Sequence, residues 1–314
     1  QLALSAYFAD HGENSDPREP IVIDLTDSPP PSQSRLLTVL SWNIDGLDAP
    51  SFPSRLLAIL DIVKKEQPHV VCLQEVTLVA LEVLRTELHD KYEVLSATDD
   101  PFAECIHYFV AILVRKQPSM LIEPKSFTVS PFEGSKMGRH LVHVDLLLDS
   151  SQWDQVNGDE QSGESSKLRL RIFTSHLESC ADGASNRKLQ LQHAWSRMLN
   201  SPTCLATVFC GDLNLRDNEV VQLGGVPAGI KDVWEATGSR AELSCTWDPK
   251  RNSNAGRYGS RGNYQPKGLR FDRMFWSGKR LRAVDFGLRG LEKLPKTTYF
   301  PSDHWGIVGC FVID

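Results

Sequence analysis

The sequence lacks any apolar run long enough to cross a membrane. A spanning helix needs about 20 apolar residues, and no segment of the 314-residue chain approaches that length. We therefore expect no membrane partner. The seven cysteines are an odd number and include no Cys-x-x-Cys pair, which argues against both a disulfide framework and a cysteine-based zinc site.

The chain also lacks the excess of positive charge that is usual in proteins that bind nucleic acid. Its formal net charge is −6 at pH 7. Residues 250–273, however, hold seven Lys or Arg and one acid, Asp272, so this segment carries +6 and the remainder −12. Tyr258, Tyr264 and Phe271 are interleaved with these cations, a combination that attracts a nucleic-acid backbone and stacks on bases. The segment is a candidate site for a single-stranded end, with a plain solvated loop as the alternative.

Composition divides the chain into a tail and one large domain. Residues 1–34 are rich in Asp, Glu, Ser and Pro, so we expect them to be disordered. Within this tail, residues 21–27 (IVIDLTD) form a β-branched run followed by acids, a pattern that can add as a strand to a sheet edge. The run resembles a SUMO-interacting motif, and an incidental apolar patch is the alternative. Residues 35–314 are predicted to form one catalytic domain.

Apolar periodicity after the tail predicts an α/β domain. Seven segments are predicted as strands, several of them buried on both faces: 36–42, 70–73, 109–114, 141–148, 168–174, 206–209 and 306–312. We predict one helix that is capped by Ser54 and runs to about Glu66 before Pro68, and another that is capped by Ser185. Strands alternate with helices early and follow one another later, which is typical of a mixed α/β fold. The polar residues 150–167 predict a long hairpin insertion.

Four short strings place polar side chains directly after apolar runs. They are residues 41–45 (SWNID), 73–76 (LQEV), 211–214 (GDLN) and 302–304 (SDH). Asn43 and Glu75 follow predicted strands, so we expect them on one rim of a sheet. Oxygen ligands suit Mg²⁺, which is commonly held by one or two carboxylates, and we predict Glu75 and Asn43 as its ligands. A solvated strand-end Glu and a turn-forming Asn are the alternatives. Asp45 can orient Asn43 or a metal-bound water, or serve only as a cap.

The third string carries groups that can handle an attacking water. Asp212 and Asn214 have i, i+2 spacing, so both side chains point to the same side in extended backbone. The carboxylate can orient or deprotonate the water while the amide steadies it. Arg216 follows at the same spacing and can neutralise charge near the site, or be a plain surface arginine.

The fourth string offers a donor for developing charge. An acid that holds His304 protonated makes it a donor to oxygens that gain charge in the transition state. Asp303 is adjacent, although neighbouring side chains diverge and it can have another partner. His176 ends a further predicted strand and can contact the same phosphate, or be a core histidine. Together the strings can gather a metal ion, a water and a phosphate, which indicates a phosphodiesterase.

The four strings, in this order, resemble the endonuclease/exonuclease/phosphatase superfamily from about residue 36 to the C-terminus. The resemblance implies an α/β four-layer sandwich of two packed mixed β-sheets flanked by helices. That superfamily includes abasic-site endonucleases, deadenylases, sphingomyelinases and inositol polyphosphate phosphatases. The match therefore implies the chemistry and leaves the substrate open.

Longer strings resemble the tyrosyl-DNA phosphodiesterases that act on 5′-phosphotyrosyl ends. They are residues 42–47, 174–179, 211–217, 245–248, 269–273 and 300–306. The resemblance implies Mg²⁺-dependent release of a DNA 5′ end from a trapped topoisomerase II tyrosine, which leaves a 5′-phosphate, with Mn²⁺ as an alternative ion. It also implies a monomeric nuclear enzyme, with the cytoplasm as a second location.

The same resemblance assigns roles to individual positions. The catalytic set of this family corresponds to Asn43, Glu75, Asp212 and His304. Our predicted catalytic group is completed by Asn214, Asp303 and His176. A hydrophobic wall for the displaced DNA end corresponds to Trp247 and Phe271, and positions near the substrate channel correspond to Tyr108 and Arg139. The remaining predicted substrate contacts are Ser179, Arg216 and Arg270. Gly138 departs from the family pattern, and we expect it to loosen the segment that presents Arg139.

Two other functions compete with this interpretation. The same fold can act as an abasic-site endonuclease or an RNA 3′ exonuclease, and the relative cleavage of abasic duplex and phosphotyrosyl DNA separates these enzymes. A non-catalytic adaptor recruited through residues 21–25 is the alternative of another class. The presence of Glu75, Asp212 and His304 argues against the adaptor, which would be expected to have degraded ligands.

Overall fold

A computed structural model of the chain describes residues 36–49, 51–99, 107–149, 167–258 and 268–313, all of which fall within one compact unit. The predicted tail 1–34, which includes residues 21–27, lies outside the described residues. Residues 150–166 of the predicted insertion also lie outside them. The statements about these segments remain predictions.

The described strands and helices follow one another along the chain with short connections. The strands are β1 (Leu36–Asn43), β2 (Val70–Val76), β3 (Tyr92–Ser96), β4 (Phe109–Arg115), β5 (Met120–Ile122), β6 (Thr128–Pro131), β7 (His140–Asp149), β8 (Lys167–His176), β9 (Ala206–Asp212), β10 (Ile230–Asp232), β11 (Asp272–Ser277), β12 (Leu281–Arg289) and β13 (Gly306–Ile313). The α-helices are α1 (Phe52–Glu66), α2 (Leu78–Leu88), α3 (Ala184–Leu199), α4 (Asp217–Gln222) and α5 (Val233–Ala236).

The strands form two mixed sheets. The six-stranded sheet has the order β12-β13-β1-β2-β4-β3, and the seven-stranded sheet has the order β10-β11-β9-β8-β7-β5, with β6 also paired to β7. In each sheet one central pair is parallel, β1 with β2 and β8 with β9. Their neighbours β13, β4, β11 and β7 run antiparallel to them.

Apolar faces hold four layers together. Between the sheets, side chains from both pack into one cluster that includes Val39, Ile112, Val144, Ile172 and Val208. Helices α1 and α2 cover the outer face of the six-stranded sheet, and α3 covers the outer face of the other. Burial of a side chain of this size stabilises the fold by roughly 1.5–3 kcal/mol. The predicted four-layer sandwich of two mixed sheets flanked by helices is confirmed.

The predicted elements exist, with errors at their ends. All seven predicted strands are present and are longer by one to three residues. The predicted helix caps are wrong, because Ser54 and Ser185 lie inside α1 and α3, which are preceded by Ser51 and Gly183. Helix α1 ends at Glu66, before Pro68, as predicted. The sequence interpretation missed α2, α4, α5, β3, β5, β6, β10, β11 and β12.

Disulfides and membrane-spanning helices can be examined in the part of the chain that the structure describes. Its six described cysteines are free. Among its helices, none combines the length and the apolar character that a membrane crossing requires.

The topology brings distant strand ends to one rim of the sandwich. Because β1 and β2 are parallel neighbours and Asn43 is the register partner of Gln74, Asn43 and Glu75 lie close together near the ends of their strands. In the other sheet, His176 is the register partner of Asp212, and Asp212 is in turn the partner of Asp272 at the start of β11. The segment before β13 returns to the same rim, since β13 is antiparallel to β1.

Candidate active site

Asp212 lies between two buried histidines at this rim. Its Oδ2 is 3.3 Å from His176 Nε2 and 3.6 Å from His304 Nε2. The Asn43 amide donates to the same oxygen at 3.0 Å, and the Asn214 backbone N–H donates to Oδ1 at 3.0 Å. Burial raises the pKa of Asp212, but His304, His176 and these hydrogen bonds outweigh it and hold the pKa below its usual value. Asp212 is therefore an ionised carboxylate.

His304 is held in its protonated form. Its Nδ1 donates to Asp272 Oδ2 at 2.8 Å. Burial lowers the pKa of His304, but the charges of Asp272, Asp212 and Asp303 raise it well above the usual value. The imidazolium can therefore donate a hydrogen bond to an anion.

The sequence interpretation missed Asp272 as a functional residue. The sequence left open whether the adjacent Asp303 holds the proton on His304 or has another partner. Its Oδ1 lies 4.0 Å from His304 Nε2, and its Oδ2 accepts from another residue, Trp247 Nε1, at 3.3 Å. Asp272 is fully buried and opens β11. Asp272 lies within residues 269–273, one of the strings that resemble the tyrosyl-DNA phosphodiesterases, and that string was the available signal.

His176, unlike His304, is held in its neutral form. Burial and the neighbouring Arg139 guanidinium lower the pKa of His176 to about 3, although Asp212 acts in the other direction. Its Nε2 lies 3.4 Å from Arg139 Nη2. A neutral and a cationic imidazole therefore flank one carboxylate. We call Asp212, Asp272, His176 and His304 the imidazole side of the site.

Asp45, Glu75 and Asp303 form the opposite part, which we call the carboxylate side. Glu75 Oε1 accepts from Asn43 Nδ2 at 3.1 Å. Burial and the charge of Asp303 raise the pKa of Glu75 to about 7 and that of Asp45 to about 8, although Arg55 lowers the latter. Burial and the charges of neighbouring carboxylates thus both disfavour ionisation on this side, although Asp45 pairs with Arg55 at 3.1 Å.

Local backbone geometry orients Glu75, near the end of β2, and Asp45, just after β1. The pairing of β2 with β4 shifts between Leu73 and Val76, and such a bulge redirects a side chain. Glu75 within it has φ 56°, and Asp45 has φ 52°. A non-glycine residue in this left-handed region costs of order 1–3 kcal/mol, and such residues cluster at active sites.

The donor chemistry of the carboxylate side fits a hard divalent cation. Mg²⁺ takes oxygen ligands, and a cation at Glu75 would offset the repulsion that raises its pKa. The ligand atoms of Asp212, Asp272 and His304 also lie within 4.8 Å of one another. There, however, the imidazolium already neutralises the carboxylates, so the imidazole side fits an anion better.

Two predicted geometries differ in the structure. Asn43 turns its Nδ2, rather than its Oδ1, to Glu75 and Asp212, while Oδ1 accepts the Asp45 backbone N–H at 2.9 Å. Asp45 thus orients Asn43 as predicted, but through its main chain. The extended backbone expected from Asp212 to Asn214 is wrong, because β9 ends at Asp212 and Asn214 has φ 50°.

Comparisons with known proteins show the family of this chain. The model of the endonuclease/exonuclease/phosphatase family matches residues 40–304. Human tyrosyl-DNA phosphodiesterase 2 is 34% identical over 279 residues, which cover 87% of this chain and 67% of the relative. The 5′-tyrosyl-DNA phosphodiesterase of Caenorhabditis briggsae is 32% identical, over 88% of this chain and 69% of the relative. The chain belongs to the tyrosyl-DNA phosphodiesterase branch of the endonuclease/exonuclease/phosphatase family.

Solved structures of the family place the fold in the same branch. A crystal structure of D. rerio TDP2 complexed with single strand DNA product has a TM-score of 0.73 and 30% identity, and it covers 88% of this chain and 98% of that chain. TDP2 from C. elegans has a TM-score of 0.72 and 32% identity, over 88% and 75% of the two chains. The predicted family is confirmed, and so is the prediction of an enzyme with this hydrolase fold.

Two clusters with aromatic and cationic groups flank the imidazole side of the site. On one flank the Arg139 guanidinium lies 5.3 Å from the Tyr108 ring centroid. On the other, the Trp247 and Phe271 rings lie 5.8 Å apart, and Arg216 lies 5.3 Å over Phe271. Phe271 is also 6.3 Å from the His304 ring. The five predicted substrate residues therefore form two groups. One group lies beside His176 and the other beside His304.

The remaining predicted substrate residues are placed differently from one another. Ser179 is half-buried, with Oγ 3.1 Å from Met137 Sδ, next to the Arg139 flank. Arg270 is not with the others, since its guanidinium is buried, pairs with Asp232 at 2.7 Å and stacks on Trp234 at 4.4 Å. Neighbouring residues of extended backbone point to opposite faces, which separates Arg270 from Phe271. Tyr264 and the Tyr258 side chain lie outside the described part of the basic segment.

Proposed function

We propose that this chain hydrolyses the phosphodiester bond between a DNA 5′ end and a tyrosine side chain, with Mg²⁺ as cofactor and Mn²⁺ as a substitute. The observation that carries the proposal is the carboxylate of Asp212, which the Asn43 amide links to Glu75 and which stands between a neutral and a cationic imidazole. Support also comes from relatives about one third identical that are named tyrosyl-DNA phosphodiesterases. The products are a 5′-phosphate on the DNA and a free tyrosine side chain.

Asp212 handles the attacking water. As the water oxygen bonds to phosphorus, the bond from phosphorus to the tyrosine oxygen breaks and the water proton passes to the Asp212 carboxylate. The Asn43 amide and the Asn214 N–H hold that carboxylate in place. Fixed orientation of this kind removes much of the entropic cost of bringing water and phosphate together.

His304 stabilises the negative charge that builds up on the phosphoryl oxygens. Its protonated ring is fixed by the hydrogen bond to Asp272, so no reorientation is needed during the reaction. A preorganised donor in a buried site lowers the barrier because the charge is partly shielded from water. Neutral His176, beside Arg139, completes the polar contacts to the same phosphate.

Glu75 is the residue best placed to hold the metal ion, with Asn43 beside it and Asp45 and Asp303 adding negative potential. When bound there, Mg²⁺ supplies Lewis-acid charge to a phosphoryl oxygen.

The leaving group explains why no separate acid is needed. A phenol with a pKa of about 10 leaves as phenolate far more readily than a sugar alkoxide does. The site can then rely on positioning and charge stabilisation. The low pKa of the phenol therefore makes a tyrosyl linkage an easier substrate for this site than an internal nucleic-acid linkage.

The flanks define the two ends of the substrate. We assign the Trp247 and Phe271 wall, with Arg216, to the DNA end, and support comes from the D. rerio relative complexed with single strand DNA product. Tyr108 and Arg139 then lie toward the tyrosine. The physiological substrate in this proposal is a trapped topoisomerase II adduct in the nucleus, acted on by a monomer.

A side-by-side assay tests the function. The chain is given a 5′-tyrosyl oligonucleotide, an abasic duplex and a polyadenylated RNA, each with Mg²⁺, with Mn²⁺ and with chelator. We expect hydrolysis of the tyrosyl substrate alone, lost in chelator and restored by either ion. Comparable cleavage of the abasic duplex or of the RNA would assign the chain to another activity of the fold.

Recruitment is a separate proposal that rests on the sequence of residues 21–27. We infer that this segment binds SUMO through its β-branched run and acids. Replacement of Ile21, Val22 and Ile23 by Ala should abolish binding in a titration with SUMO. Equal affinity of variant and parent would reject it.

A further inference from the structure

Glu178 is a buried acid to which the catalytic chemistry assigns no role. It follows β8, two residues after His176, and only 1% of its surface is exposed. Oε1 accepts the backbone N–H groups of Lys136 at 2.7 Å and Met137 at 3.0 Å. Oε2 accepts Ser135 Oγ at 2.9 Å and Gln190 Nε2 at 2.8 Å. Burial raises the pKa of Glu178, but these four donors outweigh it and lower the pKa below its usual value, so the carboxylate is ionised.

Three of the four donors to Glu178, namely Ser135, Lys136 and Met137, belong to the segment 132–139, which connects β6 to β7. Within it, Arg139 N–H donates to Ser135 Oγ at 2.8 Å and Phe132 N–H donates to Arg139 O at 2.9 Å. A continuous set of hydrogen bonds therefore runs from the Glu178 carboxylate through Ser135 to the main chain of Arg139.

Few apolar contacts compete with this anchor. Between Phe132 and Arg139, which are buried, the intervening residues are exposed or half-buried. Gly138 has φ +64°, and a Cβ there would meet nothing within 4 Å. The glycine suits a left-handed turn, and polar bonds rather than packing hold the segment. The predicted loosening by Gly138 is thus opposed by Glu178.

The anchor matters because it fixes a substrate-facing guanidinium. Arg139 lies over Tyr108 at 5.3 Å and beside His176 at 3.4 Å. Its buried Nε has no hydrogen-bond partner within the described residues. A buried donor without a partner costs about 1–3 kcal/mol, and a bound anion can remove that cost.

We propose that Glu178 is a positioning residue for substrate recognition, which holds residues 135–139 so that Arg139 meets the substrate beside Tyr108 and His176. The inference rests on the proposed function, because it concerns how that substrate is bound. Glu178 itself does not touch the reacting atoms, and its effect passes through Arg139.

A second buried acid provides a matched control. Glu219 accepts two hydrogen bonds from Arg187, at 2.5 and 3.1 Å, and its Oε2 accepts the Arg216 backbone N–H at 2.9 Å. Glu219 thus anchors the arginine on the opposite flank in a similar way. Both acids contact α3, through Gln190 and Arg187.

A double-mutant cycle with a 5′-tyrosyl single-stranded oligonucleotide tests the inference. We expect Glu178→Gln to raise KM about tenfold with kcat changed less than threefold, because the amide cannot accept all four donors. If Glu178 acts through Arg139, Glu178→Gln should raise KM no further in an Arg139→Ala background, since residues that act together are not additive. The effects of Glu219→Gln and Arg139→Ala on KM should instead multiply in the double variant. A multiplicative effect of Glu178→Gln and Arg139→Ala, or a loss confined to kcat, would overturn the proposal.

Amide hydrogen exchange gives a readout that does not need turnover. The N–H groups of Lys136 and Met137 should exchange at least tenfold faster in Glu178→Gln and at the parent rate in Glu219→Gln. Unchanged exchange in Glu178→Gln would reject the anchor. If the parent fails to cleave the tyrosyl substrate, the proposed function fails, and the exchange rates still decide whether Glu178 holds the segment.

Ser135→Ala keeps the test valid if Glu178→Gln does not fold. This half-buried serine links Glu178 to Arg139, and its loss should raise KM about threefold, again with no further effect in an Arg139→Ala background. Independent effects of these two substitutions would contradict the proposal.

Discussion

The two sides of the site share one amide, Asn43, but balance their charges in different ways. On the imidazole side, acids and imidazoles alternate, so that Asp272 and Asp212 face a protonated His304. On the carboxylate side, burial and the charge of Asp303 raise the pKa of Glu75 to about 7. The imidazole side balances its charges with protein groups alone, whereas the donor chemistry of the carboxylate side suits a cation from solution. A phosphate diester bound between them would meet positive charge from both.

The largest expected effect is on the carboxylate side. Glu75→Gln should lower kcat at least about 10³-fold, because the ligand charge that holds Mg²⁺ is lost. Turnover of the 5′-tyrosyl oligonucleotide over a range of Mg²⁺ concentrations measures it. In chelator the variant should be at least as stable to urea as the parent, since one crowded charge has been removed. Mg²⁺-dependent turnover within tenfold of the parent would contradict the division of the site.

His304→Gln should have a smaller effect of a different kind. Removal of one preorganised donor costs about 10²–10³-fold in kcat, and the Mg²⁺ concentration for half-maximal rate should stay within twofold of the parent. The same titration measures both quantities. A shift in the Mg²⁺ dependence, with little loss at saturation, would place His304 on the metal-binding side instead.

Asp272→Asn should alter the pH dependence. His304 acts as a donor only while protonated, so activity falls as pH rises through its pKa, which Asp272, Asp212 and Asp303 hold above its usual value. Without the Asp272 charge that pKa drops, and the alkaline fall in kcat should move down by about one pH unit or more, with roughly tenfold less activity at pH 8. Profiles of kcat from pH 5.5 to 9.5 measure the shift. Identical alkaline limbs would show that Asp272 does not hold the proton.

The neutral state of His176 should be visible in the pH dependence of the free energy of unfolding. Its folded pKa of about 3 lies below the value of about 6.5 in the unfolded chain, so the unfolded state binds the proton first and stability falls as pH drops below about 6.5. From pH 7 to pH 5 this group should cost about 2 kcal/mol, at about 1.4 kcal/mol per pH unit. Urea unfolding in chelator should show a fall that is smaller by this amount in His176→Gln. An equal fall in both proteins would remove the contrast with His304, whose raised pKa stabilises the fold at low pH and ceases to do so as pH rises through it.

Most of the central strands could be predicted because their apolar runs are continuous. The runs before Asn43, Glu75 and Asp212 are largely buried on both faces of a four-layer fold, which leaves a clear local signal. β11 was missed because Asp272 and Arg273, both buried, interrupt the apolar pattern. The burial of these charges depends on partners that are distant in sequence, such as His304 for Asp272 and Asp217 for Arg273.

The sequence by itself determined the family, the layered fold and the side chains that follow its strands, because these depend on local pattern and on strings that can be matched. Only the tertiary structure decided that Asp272 rather than Asp303 pairs with His304, that Arg270 faces Asp232 and that His176 is neutral beside a cationic His304. Charge state and orientation depend on burial and on the sum of nearby charges. Those are fixed only when strands from both sheets meet at one rim.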